Sequence, residues 1–292
     1  MLNLLDLVAL SSLMEGTSGT SEVRIGLVDG PVAIEHPDLT SENVRQIPRS
    51  NGAACSKANS AACMHGTFVA GILSAKRGSP APAICPGCTL IIRPIFAEMT
   101  SGHEEMPSAT QGELAEAIGD CIDAGARVVN LSLALAQPSS RGERALEEAL
   151  TRAVKRGVIV VAAAGNQSAL GSSAITRHPW VIPVAACDGR GRPMNLSNLG
   201  GSIGRQGLSA PGDAITSLSA EGQLIALGGT SVAAPFVTGA VALLWSEFPG
   251  ASAAQIKLAV TRSSMARRSS VVPPLLDAAS AHDFLSTANA GR

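Results

Sequence analysis

Short apolar runs alternate with amphipathic stretches along this chain, and the alternation predicts the elements. Val23 to Val28 is a β-prone run ending at Asp29-Gly30-Pro31, so Asp29 is placed at the carboxyl end of a buried strand. Thr89 to Ile95 reads as a second strand. Glu113 to Ala124 then puts Leu114, Ala117, Ile118, Cys121 and Ile122 on one helical face, stopped by Gly125. Arg127 to Leu135, Val158 to Ala164 and Trp180 to Ala186 read as further strands, with a helix over Glu143 to Arg156 between the first two. Strand, helix, strand in repetition predicts a parallel sheet, and function at the carboxyl ends of its strands. Asp188 to Gly212 reads as turns and short surface strands. Thr230 to Ser246 and Ser252 to Arg262 read as helices, with Pro235 tolerated as a first-turn residue.

At the N-terminus, MLNLLDLVALSSLMEG has no basic lead-in and carries Asp6, so residues 1–20 are expected to form one amphipathic packing helix. Residues 286–292 are expected to fray, leaving 21–285 as the main domain. The 292 residues suit one large α/β domain. Apolar residues make up 46% and charged residues 15%, which supports a closed core, while 2% aromatics and the absence of Tyr demand close packing of small aliphatic side chains. A net charge of -1 without basic runs argues against nucleic acid as a partner. No segment reaches the roughly 18 apolar residues of a membrane span, and the expected location is cytoplasmic. Cys55 and Cys63, and Cys85 and Cys88, flank His65 in two pairs. Their spacing leaves two local disulfides, free thiols or a four-thiolate zinc site open.

Three segments each present a candidate polar residue in a Gly- and Ala-rich, otherwise apolar setting: Asp29 in LVDGP, His65 in MHGTFVAG and Ser231 in GGTSVAAP. A serine hydroxyl needs a base within hydrogen-bond reach, and the base needs a carboxylate to hold its tautomer. Each residue alone has a plainer reading, as a turn, a helix start or a cap; together they supply orienter, base and nucleophile. His65 is expected to open a helix. Ala163-Ala164-Gly165-Asn166 ends another buried strand, where Gly165 admits a substrate backbone and the Asn166 amide, beside the Ser231 N–H, faces a developing oxyanion. His36 and His178, each before a Pro, read as surface residues, and His103 with Glu104 and Glu105 as an acidic loop that could line outer substrate subsites.

The order Asp, His, Asn, Ser, with VDG then HPDL, HGTFVAGI, VVNLSLA, AAAGN and GTSVAAP, resembles the subtilisin family over residues 22–265. That resemblance implies a three-layer α/β/α fold with a mainly parallel central sheet, and a serine endopeptidase acting on a peptide or protein substrate through an acyl-enzyme. It also implies that Ser132, Leu133 and Ala134 form a substrate-pairing strand beside the S1 pocket, although Ala134 stands where Gly is usual. Gly30-Pro31 after Asp29, and Val232 after Ser231, also depart from the family pattern. The loop SAKRGSPAPAICPGC lacks the oxygen ligands of the family's calcium site, so no metal or cofactor is expected. HGTFVAGILSAKRGSPAPAICPGCTLIIRPIF resembles the proteases of cyanobactin maturation, which process ribosomal precursor peptides. Some of those are macrocyclases, with a helical insertion between the Asp and His segments. The short interval here favours hydrolysis, leaving a macrocyclase and a catalytically silent binding module as the alternatives.

Overall fold

The apolar runs lie side by side as a seven-stranded sheet in the computed structural model, which describes residues 4–39, 41–47, 55–96, 98, 109–133, 144–262 and 270–290. Its strands are β1 (Arg24–Asp29), β2 (Val44–Gln46), β3 (Thr89–Pro94), β4 (Val128–Leu131), β5 (Ile159–Ala163), β6 (Val181–Cys187) and β7 (Leu208–Pro211). They run in the order β2-β3-β1-β4-β5-β6-β7, and every pairing is parallel. The chain leaves β1 for β2 and β3 on one side and returns to β4 on the other. The switch of direction therefore falls beside β1, where α/β sheets open a crevice at their carboxyl edge.

Both faces of the sheet are covered, which is why its strands read as near-continuous apolar runs. Alternate residues sort between two cores. Ile25, Leu27, Val161 and Val184 pack with Phe68 and Ile72 of α3 (Ala61–Ser74) and with Val237 and Leu244 of α8 (Thr230–Glu247). Val28, Val129, Val160 and Ala162 face the other way, against Leu114 and Ile118 of α4 (Gln111–Asp123) and Leu146 and Leu150 of α5 (Arg144–Arg156). These are the three layers that the resemblance implies. Thr110 opens α4 with a capping box to Glu113, and Ser252 does the same with Gln255 for α9 (Ala253–Thr261).

Both ends of the chain differ from expectation. The N-terminal segment is two short helices, α1 (Leu4–Leu7) and α2 (Leu10–Gly16), broken at Ala9, whose φ of 52° is left-handed. The break lets the Val8 carbonyl accept from the N–H of Ala278 at 3.1 Å. The C-terminal residues do not fray at 286: α10 (Ala278–Ala290) continues to Ala290, held by the buried stripe Ala278, Ala281 and Leu285 packed against α2 and α9. The stretch after β6 holds a main-sheet strand, β7, and a short helix, α7 (Gly201–Gln206), rather than surface turns alone. An antiparallel hairpin of β8 (Ile215–Leu218) and β9 (Leu224–Leu227) follows. A four-residue helix, α6 (Ala174–Arg177), precedes β6.

Candidate active site

Asp29 ends β1, is fully buried, and faces the first turns of α3. Helix and strand end approach so closely that a Cβ on Gly30 would lie 1.9 Å from the Ala62 carbonyl oxygen, and one on Gly66 would lie 2.4 Å from that of Pro31. Two glycines thus let α3 rest on the backbone after Asp29. The helix begins at Ala61, earlier than the His65 start expected from the sequence, because the Ser60 side chain caps it by accepting from the N–H of Cys63 at 3.2 Å. His65 falls one turn inside. Its Nδ1 lies 2.7 Å from Asp29 Oδ1, which also accepts from the N–H of Gly30 at 2.6 Å. Burial disfavours the charged ring, but the Asp29 charge and hydrogen bond outweigh it, so the His65 pKa stands above its ordinary 6.5. The other Asp29 oxygen, Oδ2, is buried and has no hydrogen-bond partner among the described residues.

Ser231 is the second residue of α8, and His65 Nε2 lies 3.0 Å from its Oγ. One proton can therefore pass from Ser231 to His65 while Asp29 holds the far side of the ring. Pro235 is not in the first turn, as the sequence suggested, but one turn further in, where its missing N–H deprives the Ser231 carbonyl of its helical donor. The Ser132 hydroxyl replaces that donor at 2.9 Å. Ser132 in turn accepts from Asn130 Nδ2 at 2.6 Å, and Thr238 Oγ1 donates to Asn130 Oδ1 at 2.8 Å. A buried polar relay thus fixes the turn that carries the nucleophile.

Asn166 follows Gly165, whose φ of +106° suits only glycine, at the carboxyl end of β5. Its Oδ1 accepts from both the N–H and the Oγ1–H of Thr230, at 2.9 and 3.0 Å. With the oxygen so engaged, Nδ2 is the free donor, and among the described residues it donates to none. The Ser231 N–H, in the first turn of α8, has no helical acceptor either. Two such donors aimed at one point are what stabilises an oxyanion. Sequence reading missed Thr230 and Asn130. A Thr beside the nucleophile and a buried Asn in a β-strand were the available signals, and neither is distinctive alone.

Of the substrate-strand residues, Ala163, Ala164 and Gly165 are buried at the end of β5. Leu133 is half-buried and packs on the α4 and α5 side of the sheet, while the Ser132 side chain turns towards α8 rather than the cleft. Ala134, His103, Glu104 and Glu105 lie outside the described residues. His36 is buried at 7% exposure, contrary to its reading as a surface residue; its Nδ1 accepts from the N–H of Asp38 at 3.1 Å, a local turn that packs the ring inward. His178 is half-buried.

The two cysteine pairs differ. Cys55 and Cys63 form a disulfide, which ties the segment before α3 to the turn carrying His65, while Cys85 and Cys88 are buried thiols. Two disulfides and a four-thiolate site are both set aside by this arrangement. Glu98 lies with its oxygen within 4.8 Å of both bonded sulfurs. It accepts from the N–H groups of Ser56 and Lys57 and from the Ser56 and Ser60 hydroxyls, so its role there is to close the loop. Burial pushes the lone Cys121 and Cys187 thiols up to about 12, which makes them poor nucleophiles.

Comparison with known proteins accords with this geometry. Subtilisin DY of Bacillus licheniformis is 29% identical over 248 residues, covering 83% of this chain and 83% of that protein. Mycosin-3 of Mycobacterium tuberculosis is 32% identical over 261 residues, covering 70% of this chain and 56% of that protein, so this chain spans little more than half of some relatives. Among solved structures, the protease domain of PatA superposes with a TM-score of 0.83 at 29% identity, covering 92% of this chain and 97% of that one. The prenylagaramide maturation protease PagA gives 0.82 at 28%, covering 94% and 98%. The PatG macrocyclase with a bound peptide gives 0.81 at 20%, covering 95% of each chain, a likeness of fold alone. The subtilase family model matches residues 20–284, and with that match the chain belongs to the subtilase family.

Proposed function

We propose that Ser231 attacks a peptide carbonyl, that His65 takes its proton and returns it to the leaving amine, and that Asp29 stabilises the imidazolium between the two steps. Asn166 Nδ2 and the Ser231 N–H receive the oxyanion, and water releases the acyl group. The observation that carries this reading is the contact chain from Asp29 Oδ1 through His65 to Ser231 Oγ, at 2.7 and 3.0 Å. Its substrate is a ribosomally made precursor peptide, a reading supported by the likeness to PatA and to the maturation protease PagA over nine-tenths of the chain. Ala163 to Gly165 and the backbone of Ser132 and Leu133 are the candidates to flank the bound peptide.

Between Asp29 and His65 the described residues hold a three-residue 3-10 turn, β2 and the start of α3. So short an interval favours water over a second amine as the group that resolves the acyl-enzyme. Incubating the protein and a Ser231→Ala control with precursor-type peptides, with products read by mass spectrometry, tests both points. Ser231-dependent linear fragments are expected. Cyclic products would place the protein among transpeptidases, and Ser231-independent products or none would overturn the peptidase reading.

A further inference from the structure

Asn198 lies in the loop between β6 and α7, 5% exposed, and neither it nor its neighbours belong to the triad or the oxyanion donor pair. Every hydrogen-bonding position of its side chain is used, and every partner lies in the turn that carries Asn166. Oδ1 accepts from the N–H groups of Gln167 and Ala169, both at 3.0 Å. Nδ2 donates to the Ala164 carbonyl at 3.2 Å and to Gln167 Oε1 at 2.6 Å. Its own backbone N–H donates to the Gly165 carbonyl at 2.8 Å. One residue thus grips the backbone on both sides of Asn166 without touching it. A side-chain amide has two donor and two acceptor positions, so Asn198 is saturated.

The consequence concerns where the free amide of Asn166 comes to rest. Thr230 fixes its oxygen end, but an anchored side chain is only as well placed as its backbone, and residues 166–168 are exposed; apart from Asn198, that stretch is tied by the Ser168 N–H, which donates to the Leu196 carbonyl at 2.9 Å, two residues before Asn198. An oxyanion donor acts through a distance that must be set before the charge forms. We infer that Asn198 is a positioning residue for the oxyanion site, holding the 164–169 turn so that Asn166 Nδ2 meets the transition state. This inference rests on the serine-peptidase reading for its substrate, not for its geometry. A role confined to folding would lower stability and leave the balance between ground state and transition state unchanged.

The test is a double-mutant cycle read two ways, by peptide hydrolysis and by the rate at which a phosphonofluoridate labels Ser231. Asn198→Ala is expected to lower kcat and the labelling rate about tenfold, with KM changed less than twofold. In an Asn166→Ala background the same substitution is expected to change each less than twofold, because its target is already gone. Equal losses in both backgrounds, a loss carried by KM, or wild-type rates in Asn198→Ala overturn the inference. Should Asn198→Ala fail to fold, Asn198→Asp keeps the acceptor bonds from Gln167 and Ala169 while removing both donors. Its second carboxylate oxygen would face the Ala164 carbonyl and Gln167 Oε1, so a loss at least as large is expected, cancelled in the same way. If no peptide is cut but labelling depends on Asn198 only when Asn166 is present, the peptidase reading falls and the positioning role stands. A Ser231 that is never labelled overturns both.

Discussion

The Ser132 hydroxyl donates to the Ser231 carbonyl at 2.9 Å, filling the place that Pro235, four residues further along α8, has no N–H to occupy. A residue 99 positions earlier in the chain thus completes the first turns of the nucleophile's helix. Ser132→Ala would remove the side-chain donor to that carbonyl and the acceptor of the buried Asn130 Nδ2, while Asn130 Oδ1 keeps Thr238. Leaving buried polar groups unsatisfied costs about 1–3 kcal/mol. Thermal unfolding is expected to show a Tm lowered by several degrees, and an unchanged Tm would mean that the relay contributes nothing.

Removal of the Asn166 amide is expected to cost about 100- to 1,000-fold in kcat, the magnitude established for the side-chain oxyanion donor of subtilisin itself. KM should change little, since the donor faces charge that develops only in the transition state. Steady-state kinetics of Asn166→Ala on one peptide separates the two constants.

The pH dependence follows from His65. The base must be neutral in the free enzyme, so kcat/KM falls as pH drops through its pKa, and because that pKa is raised the acid limb should have its midpoint above 6.5. In Asp29→Asn the raising charge is gone while burial remains, so any residual activity should show its acid limb at lower pH. The same raised pKa contributes stability that is fully present below pH 6.5 and is lost as pH rises through the folded value. The stability lost in His65→Ala should accordingly be larger at pH 6 than at pH 9. A pH–rate profile and denaturant titrations at the two pH values check both signs.

Gly30→Ala should disrupt the site, because its Cβ would fall 1.9 Å from the Ala62 carbonyl oxygen and push α3 away from Asp29. Such overpacking costs typically about 1–3 kcal/mol or more, and activity should fall further as the His65 to Asp29 contact opens. Gly201→Ala serves as the control, since a Cβ there meets nothing within 4 Å. Its stability should be unchanged or raised by up to about 1 kcal/mol. Equal effects from the two substitutions would refute the close-approach account.

Reduction of the Cys55–Cys63 bond reopens a loop between residues 8 apart, which in the chain-entropy account removes about 2.5 kcal/mol of stability. Because Glu98 holds the same loop through its own hydrogen bonds, the reduced protein should still fold and keep His65 in place. A lowered Tm with activity retained in dithiothreitol is the expected result, and loss of activity at temperatures where the protein stays folded would show that the disulfide also sets His65.

What the sequence determined by itself was what local patterns encode. Periodicity marked the strands and the faces of α4 and α5, because alternation and helical spacing are short-range consequences of backbone geometry. The polar residue at each strand end or helix start, in family order, marked Asp29, His65, Asn166 and Ser231. Only the tertiary structure decided the supports: Ser132 beneath Ser231, Thr230 beside Asn166 at 64 positions' remove, and Asn198 around the turn that carries it. It also decided which cysteines join, how α10 stays ordered to Ala290, and why Gly30 must be small. Each of these depends on a partner distant in sequence, and a hydrogen bond or close contact between distant residues leaves no periodic trace along the chain. Strand ends can be read from one segment, whereas the position of a reacting atom is fixed by several segments meeting.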